Sequence, residues 1–130
     1  MKKYFLIGFV CYAFIFSGCN PNYEEPETAI DAGRQYIQAI YQGNFKRANQ
    51  LIGVDDSSKY YLDEVVEKDF RSRNSIQKEA LSQSSIQIVQ VKTINNEKTL
   101  LYFTNAYTKK EDSVRLEKIN EKWVVLPSHE

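Results

Sequence analysis

The sequence predicts a small α+β domain in which N-terminal helices pack on a curved four-stranded antiparallel meander. Apolar residues recur at helical spacing from residue 28 to about residue 71, whereas β-branched and aromatic residues form four short runs after residue 85. The polar turns between these runs are so brief that they can join only antiparallel neighbours. Helices followed by a meander indicate the α+β class.

The first two helices have clear start and stop signals. Thr28 can cap a helix that runs to about residue 42, and Gly43 ends that helix. Asn44 can cap a second helix that begins at Phe45. Because the link between the two helices is so short, we expect them to pack as a corner.

A third helix is predicted from about residue 59 to residue 71, and either Ser57 or Ser58 can cap it. Its apolar stripe faces the core, and the charged remainder faces solvent. Residues 71–84 are polar and rich in serine and glutamine. We expect a mobile loop there, with one helical turn near residues 78–81.

Four strands are predicted at residues 86–94, 99–108, 113–119 and 123–126. Ile88 and Val89 break the alternation of the first strand, which predicts a bulge or a switch of the buried face. Trp123 lies two residues before Val125 and therefore faces the same side of the last strand. We expect both side chains to point into the core between the sheet and the helices.

Residues 1–18 have the pattern of a lipoprotein signal peptide. Two lysines precede an uncharged stretch that is too short, at about 20 Å as a helix, to span roughly 30 Å of hydrocarbon. Ser17-Gly18-Cys19 follows and resembles a bacterial lipobox, which implies cleavage before Cys19 and diacylation of its thiol. Residues 19–27 would then be a lipidated tether and residues 28–130 a single domain. A plain signal peptide and an uncleaved anchor are the alternatives.

The number of cysteines and the balance of charged residues exclude several functions. Cys11 would leave with the leader and Cys19 would carry lipid, so the mature chain would have no thiol for a disulfide, a metal site or a nucleophile. The whole chain has 17 basic and 17 acidic residues, and loss of Lys2 and Lys3 makes the remainder slightly acidic. That balance argues against nucleic acid as a partner. We also expect no metal and no cofactor, because no spaced ligand set is evident.

Two parts of the chain resemble small bacterial lipoproteins of unknown function in the nuclear transport factor 2-like superfamily, which has a cystatin-like fold. The first is residues 28–52, with Gly43-Asn44-Phe45 at the corner, and the second is residues 116–125, with Lys122-Trp123 in the closing hairpin. The resemblance implies a cone whose sheet wraps the first helix and can leave a pocket at its open end. Members include isomerases, dehydratases and non-catalytic binding or dimerising modules, so fold alone does not assign an activity.

Four tyrosines are the candidate pocket or interface residues, because phenols combine apolar area with a hydroxyl: Tyr36, Tyr61, Tyr102 and Tyr107. No catalytic residue is predicted. His129 lies next to the C-terminus, and the acids of the strands, Glu111, Asp112 and Glu117, lie at or near turns, so that no interior carboxylate is evident.

The sequence therefore predicts a non-enzymatic binding or scaffold module of the bacterial cell envelope, anchored to the membrane through acylated Cys19 and facing the periplasm or the cell surface. Its expected partners are a second copy of the chain or another envelope protein. The alternative is a pocket-bearing enzyme or a carrier of a small apolar molecule. A buried, water-accessible carboxylate beside Tyr102 or Tyr107 would favour the alternative.

Overall fold

The helices of the protein pack on one side of a four-stranded antiparallel sheet, which confirms the predicted α+β class. The computed structural model describes residues 24–127. The predicted leader, Cys19 and His129 lie outside these residues. The helical elements come first along the chain: α1 (Ala29–Tyr41), α2 (Phe45–Leu51), α3 (Asp56–Tyr61), a π-helical segment (Leu62–Glu67), α4 (Lys68–Ser72) and α5 (Ser75–Gln83).

The strands pair in the order in which they occur: β1 (Ile86–Asn95), β2 (Lys98–Asn105), β3 (Glu111–Ile119) and β4 (Lys122–Leu126). The β1–β2 register shifts between Ile88 and Gln90, which confirms the bulge expected at this point. On the helix-facing side, Leu101 pairs with Val114, and Leu116 pairs with Val125. These pairs fix which side chains of each strand face α1.

The core lies between α1 and the sheet. Ile37 of α1 and the strand residues Leu101, Leu116 and Val125 are all fully buried. Gly33 lets the helix approach β2 closely, because a Cβ atom at this position would lie 2.5 Å from Leu101 Cδ2. The first helix is therefore the element against which the open sheet packs.

Helix α1 begins as predicted. The Asp31 N–H donates to Thr28 Oγ1 at 3.1 Å, and Asp31 lies in the first turn. The third helix begins earlier than predicted, because Asp55 rather than a serine is its cap and accepts from the Ser58 N–H at 2.8 Å. Ser58 is buried inside the first turn.

The predicted loop at residues 71–84 is wrong over most of its length, because α5 occupies residues 75–83. Asn74 and Gln77 form a capping box: the Gln77 N–H donates to Asn74 Oδ1 at 2.9 Å, and the Asn74 N–H donates to Gln77 Oε1 at 3.1 Å. Leu81 is the buried residue of this helix. The reciprocal cap therefore starts a helix that buries little apolar surface.

The second strand ends at Asn105, three residues before its predicted end. The buried Asn105 side chain accepts from the backbone N–H groups of Tyr107 at 2.8 Å and Thr108 at 3.0 Å. This Asx turn leads the chain out of the strand, so Tyr107 does not continue the alternation of β2.

Trp123 packs against the core but is only half-buried, whereas Val125 and Leu116 are fully buried. The indole lines a cleft of about 250 Å³ together with Ala29 and Ile30 at the start of α1. Trp123 was predicted to point into the core, and the structure places it at the edge of the core.

No helix within residues 24–127 is both long enough and apolar enough to cross a lipid bilayer.

Candidate functional site

A cavity of about 690 Å³ lies between the helices and the sheet, near the end of the sheet at which β2 stops and β3 starts. Its apolar walls include Ile40, Val65, Val66, Phe70, Phe103 and Val114. Its polar lining includes Tyr36, Tyr41, Tyr61, Asp69, Arg73, Lys110 and Asp112. The volume is within the range of small-molecule sites, about 300 to 1,000 Å³, and the mixture of walls is typical of them.

The cavity also reaches Leu100, Arg115 and Leu126, which alternate to the opposite face of the sheet. Leu100 pairs with Arg115, and Arg115 pairs with Leu126, in a row across that face. The phenols, Asp112 and Val114 belong to the helix-facing part.

Helix α1 positions two of the phenols. Tyr36, Ile40 and Tyr41 follow one another at helical spacing in its second half, so their side chains lie on neighbouring parts of one face. Tyr36 is almost completely buried, and Tyr41 is half-buried at the last turn. The helix therefore supplies both the floor and one wall of the cavity.

The other helical wall comes from residues 61–73. Tyr61 ends α3, Val65 and Val66 belong to the π-helical segment, and Phe70 belongs to α4. A π-helical segment widens the turn by one residue, and such segments are frequent at functional sites. Tyr61 and Val66 both face the cavity even though they are five residues apart, which is the spacing of a π turn.

Burial raises the pKa of the cavity phenols. It raises the pKa of Tyr41 to about 12, with a further increase from the Asp112 charge and an opposing decrease from Arg73. Burial also raises the pKa of Tyr36 well above its ordinary value, assisted by Tyr61 and Asp112. The pKa of Tyr61 is raised by burial first and by Asp112 second. At neutral pH these phenols are hydrogen-bond donors rather than anions.

Asp112 is the acid whose charge acts on the phenols. It pairs with Phe103 across the β2–β3 ladder and is in phase with Val114 and Leu116, so it is on the helix-facing side of β3. Its Oδ1 atom accepts the Ser113 N–H at 2.8 Å. The side chain is exposed at the rim, and its charge acts on the hydroxyls of all three tyrosines.

A second charged group occupies the rim on the helical side. Arg73 Nη2 lies 3.1 Å from Asp69 Oδ2, one turn earlier in the chain. The carboxylate is largely exposed, so this pair contributes little to stability. It does hold both charges at the edge of the cavity.

The structure brings two of the four predicted tyrosines to the cavity, Tyr36 and Tyr61. Tyr102 is half-buried and alternates to the face of β2 opposite Leu101 and Phe103. Tyr107 lies in the turn after β2 and is 45% exposed. Neither of these two residues lines the cavity, and Asp112 lies beside the other phenols instead.

Sequence reasoning assigned Asp112 to a turn and found no interior carboxylate, and it did not select Tyr41 for the site. The alternation of the strand could have placed Asp112. It lies two residues before Val114 and four before Leu116, so its side chain is on the same face of β3 as theirs. Tyr41 directly follows Ile40, which lies one turn after Tyr36, at the last turn of α1. Both positions can be predicted from the sequence once the start of β3 and the end of α1 are known.

Within the described chain, no three side chains of histidine, cysteine, aspartate or glutamate converge in a way that could hold a metal ion.

We compared the chain with known proteins. No protein-family model matches it, and no curated protein matches it. The structure is similar to the crystal structure of an NTF-2 like protein of unknown function from Shewanella oneidensis MR-1, with a TM-score of 0.49 and 16% sequence identity over 75% of this chain and 90% of that one.

Proposed function

We propose that the protein is a membrane-tethered binding module whose cavity holds a small molecule with an apolar body and a hydrogen-bonding end. The observation that carries this proposal is the cavity of about 690 Å³ in which aliphatic and aromatic walls converge on three protonated phenols. Aliphatic walls favour an apolar body, and a few placed hydroxyls orient its polar end. Of the binding or scaffold module expected from the sequence, this proposal keeps the binding role and assigns it a small-molecule ligand.

The lining favours binding over catalysis. The described carboxylates that line the cavity, Asp69 and Asp112, are both exposed at the rim. General bases at neutral pH usually need burial beside a partner, which tunes their pKa towards the working range. Phenols whose pKa is raised stay neutral and supply hydrogen bonds, which suits recognition.

The membrane tether is the second part of the proposal. Its support is the Ser17-Gly18-Cys19 motif after an uncharged leader. Two acyl chains on the Cys19 thiol would give stable anchoring, where one chain alone is marginal. We expect a Cys19→Ser variant to leave the membrane fraction and to lack the added mass of the lipid; wholly membrane-bound Cys19→Ser protein would contradict this part.

The binding role is tested with 4-phenylbutanol, a neutral molecule with an apolar body and a single hydroxyl. The full chain is held in lipid nanodiscs, titrated by calorimetry and compared with empty nanodiscs, which account for partition into lipid. Val65→Trp places an indole in the cavity, and Val54→Trp adds the same indole at a fully exposed position that does not line it.

We expect saturable binding to the unmodified protein and to Val54→Trp, and a loss of about tenfold or more in Val65→Trp. Binding that is equal in the two variants would contradict the cavity as the site. Both substitutions lie at exposed positions, since Val65 is 43% exposed, so a folding defect is not expected to produce the difference.

Asp112 beside the phenols also favours a second candidate, an enzyme that moves a proton on a carbonyl compound. The carboxylate would accept a proton from the carbon next to the carbonyl, and a phenol would donate a hydrogen bond to the oxygen. Deuterium exchange into 4-phenyl-2-butanone, followed by NMR, tests this candidate. Exchange above the buffer rate that disappears in Asp112→Asn would establish the enzyme in place of the simple binding module.

A further inference from the structure

The polar lining of the cavity includes three phenols and the Asp112 carboxylate, which acts on all three of them. We propose that the cavity selects a molecule with a protonated amine at its polar end, held between the Asp112 carboxylate and the phenols of Tyr36, Tyr41 and Tyr61. This inference rests on the proposed binding function and names the ligand class of the same site.

The first step concerns the ion-pair and hydrogen-bond partners of the Asp112 side chain. No lysine or arginine among residues 24–127 lies within ion-pair distance of its carboxylate, and its hydrogen bond is to the neighbouring Ser113 N–H. The side chain is nevertheless on the helix-facing side of β3, in phase with Val114. A carboxylate at the rim of an apolar cavity that forms no ion pair within the described residues can be complemented by a cation of the ligand.

The second step is the arrangement of the cations around the cavity. Arg73 is engaged with Asp69 at 3.1 Å, which offsets part of its charge, and it still lowers the pKa of Tyr41. Arg115 alternates to the opposite face of the sheet. Lys110 is exposed at the rim, in the turn before β3, and forms no ion pair with Asp112. Asp112 therefore acts on all three phenols, whereas the opposing effect of Arg73 is on Tyr41.

The third step is the reach of the Asp112 charge. It raises the pKa of Tyr36, Tyr41 and Tyr61, in addition to the larger effect of burial. The same field that disfavours a phenolate at these hydroxyls disfavours any other anion there and favours a cation. Aromatic rings add attraction, because a cation close to a ring face is stabilised by the ring quadrupole.

The test uses three molecules that share one apolar body: 4-phenylbutylamine, which is protonated at neutral pH, 4-phenylbutanol and 4-phenylbutanoate. Each is titrated by calorimetry into the full chain in nanodiscs of zwitterionic lipid, with empty nanodiscs as the blank. Asp112→Asn removes the charge with little change of shape. Glu111→Gln is the matched control, because Glu111 is the preceding acid, is equally exposed and does not line the cavity.

We expect the ammonium compound to bind about tenfold more tightly than the alcohol, and the carboxylate compound to bind most weakly. Asp112→Asn should abolish the advantage of the ammonium compound, and Glu111→Gln should preserve it. A carboxylate that binds as tightly as the ammonium, or an ammonium preference that survives Asp112→Asn, would overturn the inference while leaving the binding function intact. Failure of all three molecules to bind would overturn both.

Discussion

The Arg47 guanidinium holds the backbone carbonyl of Glu24, with Nη2 donating at 3.2 Å, although the two residues are far apart in sequence. Arg47 is buried, and it also donates to Gln50 Oε1 at 3.2 Å and to the Gln35 side-chain oxygen. Gln35 Nε2 donates to the same Glu24 carbonyl at 3.3 Å. Residues 24–27, predicted as part of an extended tether, are thus held against the α1–α2 corner where the tether meets the domain.

This contact shortens the segment that would join the proposed lipid anchor to the domain. Residues 19–23 can span at most about 17 Å when fully extended, at ~3.3 to 3.6 Å per residue. Glu25 adds a contact to Lys122 in the last strand, with Oε1 and Nζ 3.1 Å apart. If Cys19 carries lipid, as we propose, the domain is held close to the membrane surface.

We predict that Arg47→Ala releases residues 24–27 and destabilises the domain by about 1 to 3 kcal/mol, because the half-buried Gln35 side chain and the Glu24 carbonyl lose the donor that joins them. Hydrogen exchange of the backbone amides at residues 24–27 measures the release, and urea unfolding measures the loss. Lys46→Ala, at the exposed neighbouring position, is the control and should change neither. Unchanged exchange in Arg47→Ala would show that the segment is held by other contacts.

Gly43→Ala should destabilise the protein through both the backbone and the cavity wall. Gly43 has a φ of 72°, where a residue with a Cβ atom costs about 1 to 2 kcal/mol. The added Cβ atom would also lie 2.7 Å from Phe70 Cε1. We expect the cost to fall in a Phe70→Ala background, which leaves only the backbone contribution. Equal costs in the two backgrounds, measured by urea unfolding, would contradict the contact.

Trp123→Ala should cost less than the ~3 to 5 kcal/mol that is usual for a fully buried aromatic residue, because the indole is half-buried at the edge of the core. Leu116→Ala, at a fully buried position on the neighbouring strand, should cost about 2 to 5 kcal/mol. Urea unfolding of the two variants gives the order directly. A Trp123→Ala loss larger than the Leu116→Ala loss would mean that the core extends further than the structure indicates.

The raised phenol pKa values predict a loss of stability in alkali. The pKa of Tyr41 is about 12 in the folded protein and about 10 in the unfolded chain, so the unfolded state loses its proton first. The stabilising effect is complete below pH 10 and disappears as the pH rises towards 12. Thermal unfolding between pH 8 and pH 12 measures it. Tyr41→Phe should flatten the decline, and an unchanged profile in that variant would contradict the burial of the phenol.

Much of the fold could be predicted from the sequence because its signals are local. Thr28 and Asn44 cap the helices that they were expected to cap, and the disturbed alternation at Ile88 marks a real bulge. Helix α5 was missed because its polarity was given more weight than the capping pair Asn74 and Gln77. The π-helical turn was missed because a period of 3.6 residues does not anticipate an inserted residue.

The candidate site was only half predictable, because it depends on where β2 stops and β3 starts. Tyr107 appeared to continue β2, but the Asn105 side chain turns the chain before it. Asp112 appeared to lie in a turn, but β3 already begins at Glu111. The predicted end of β2 was three residues too late and the predicted start of β3 two residues too late, so Tyr107 was placed in a strand and Asp112 in a turn.

The most direct test of the cavity as the binding site is an NMR titration of the ring-labelled tyrosines with 4-phenylbutanol. Tyr36, Tyr41 and Tyr61 line the cavity, whereas Tyr102 lies on the opposite face of the sheet and Tyr107 lies in a turn. Tyrosine-to-phenylalanine variants assign the signals. We predict that the ring signals of the three cavity tyrosines shift in a saturable way and that those of Tyr102 and Tyr107 do not. Shifts confined to Tyr102 and Tyr107 would contradict the cavity and place the ligand on the outer face of the sheet.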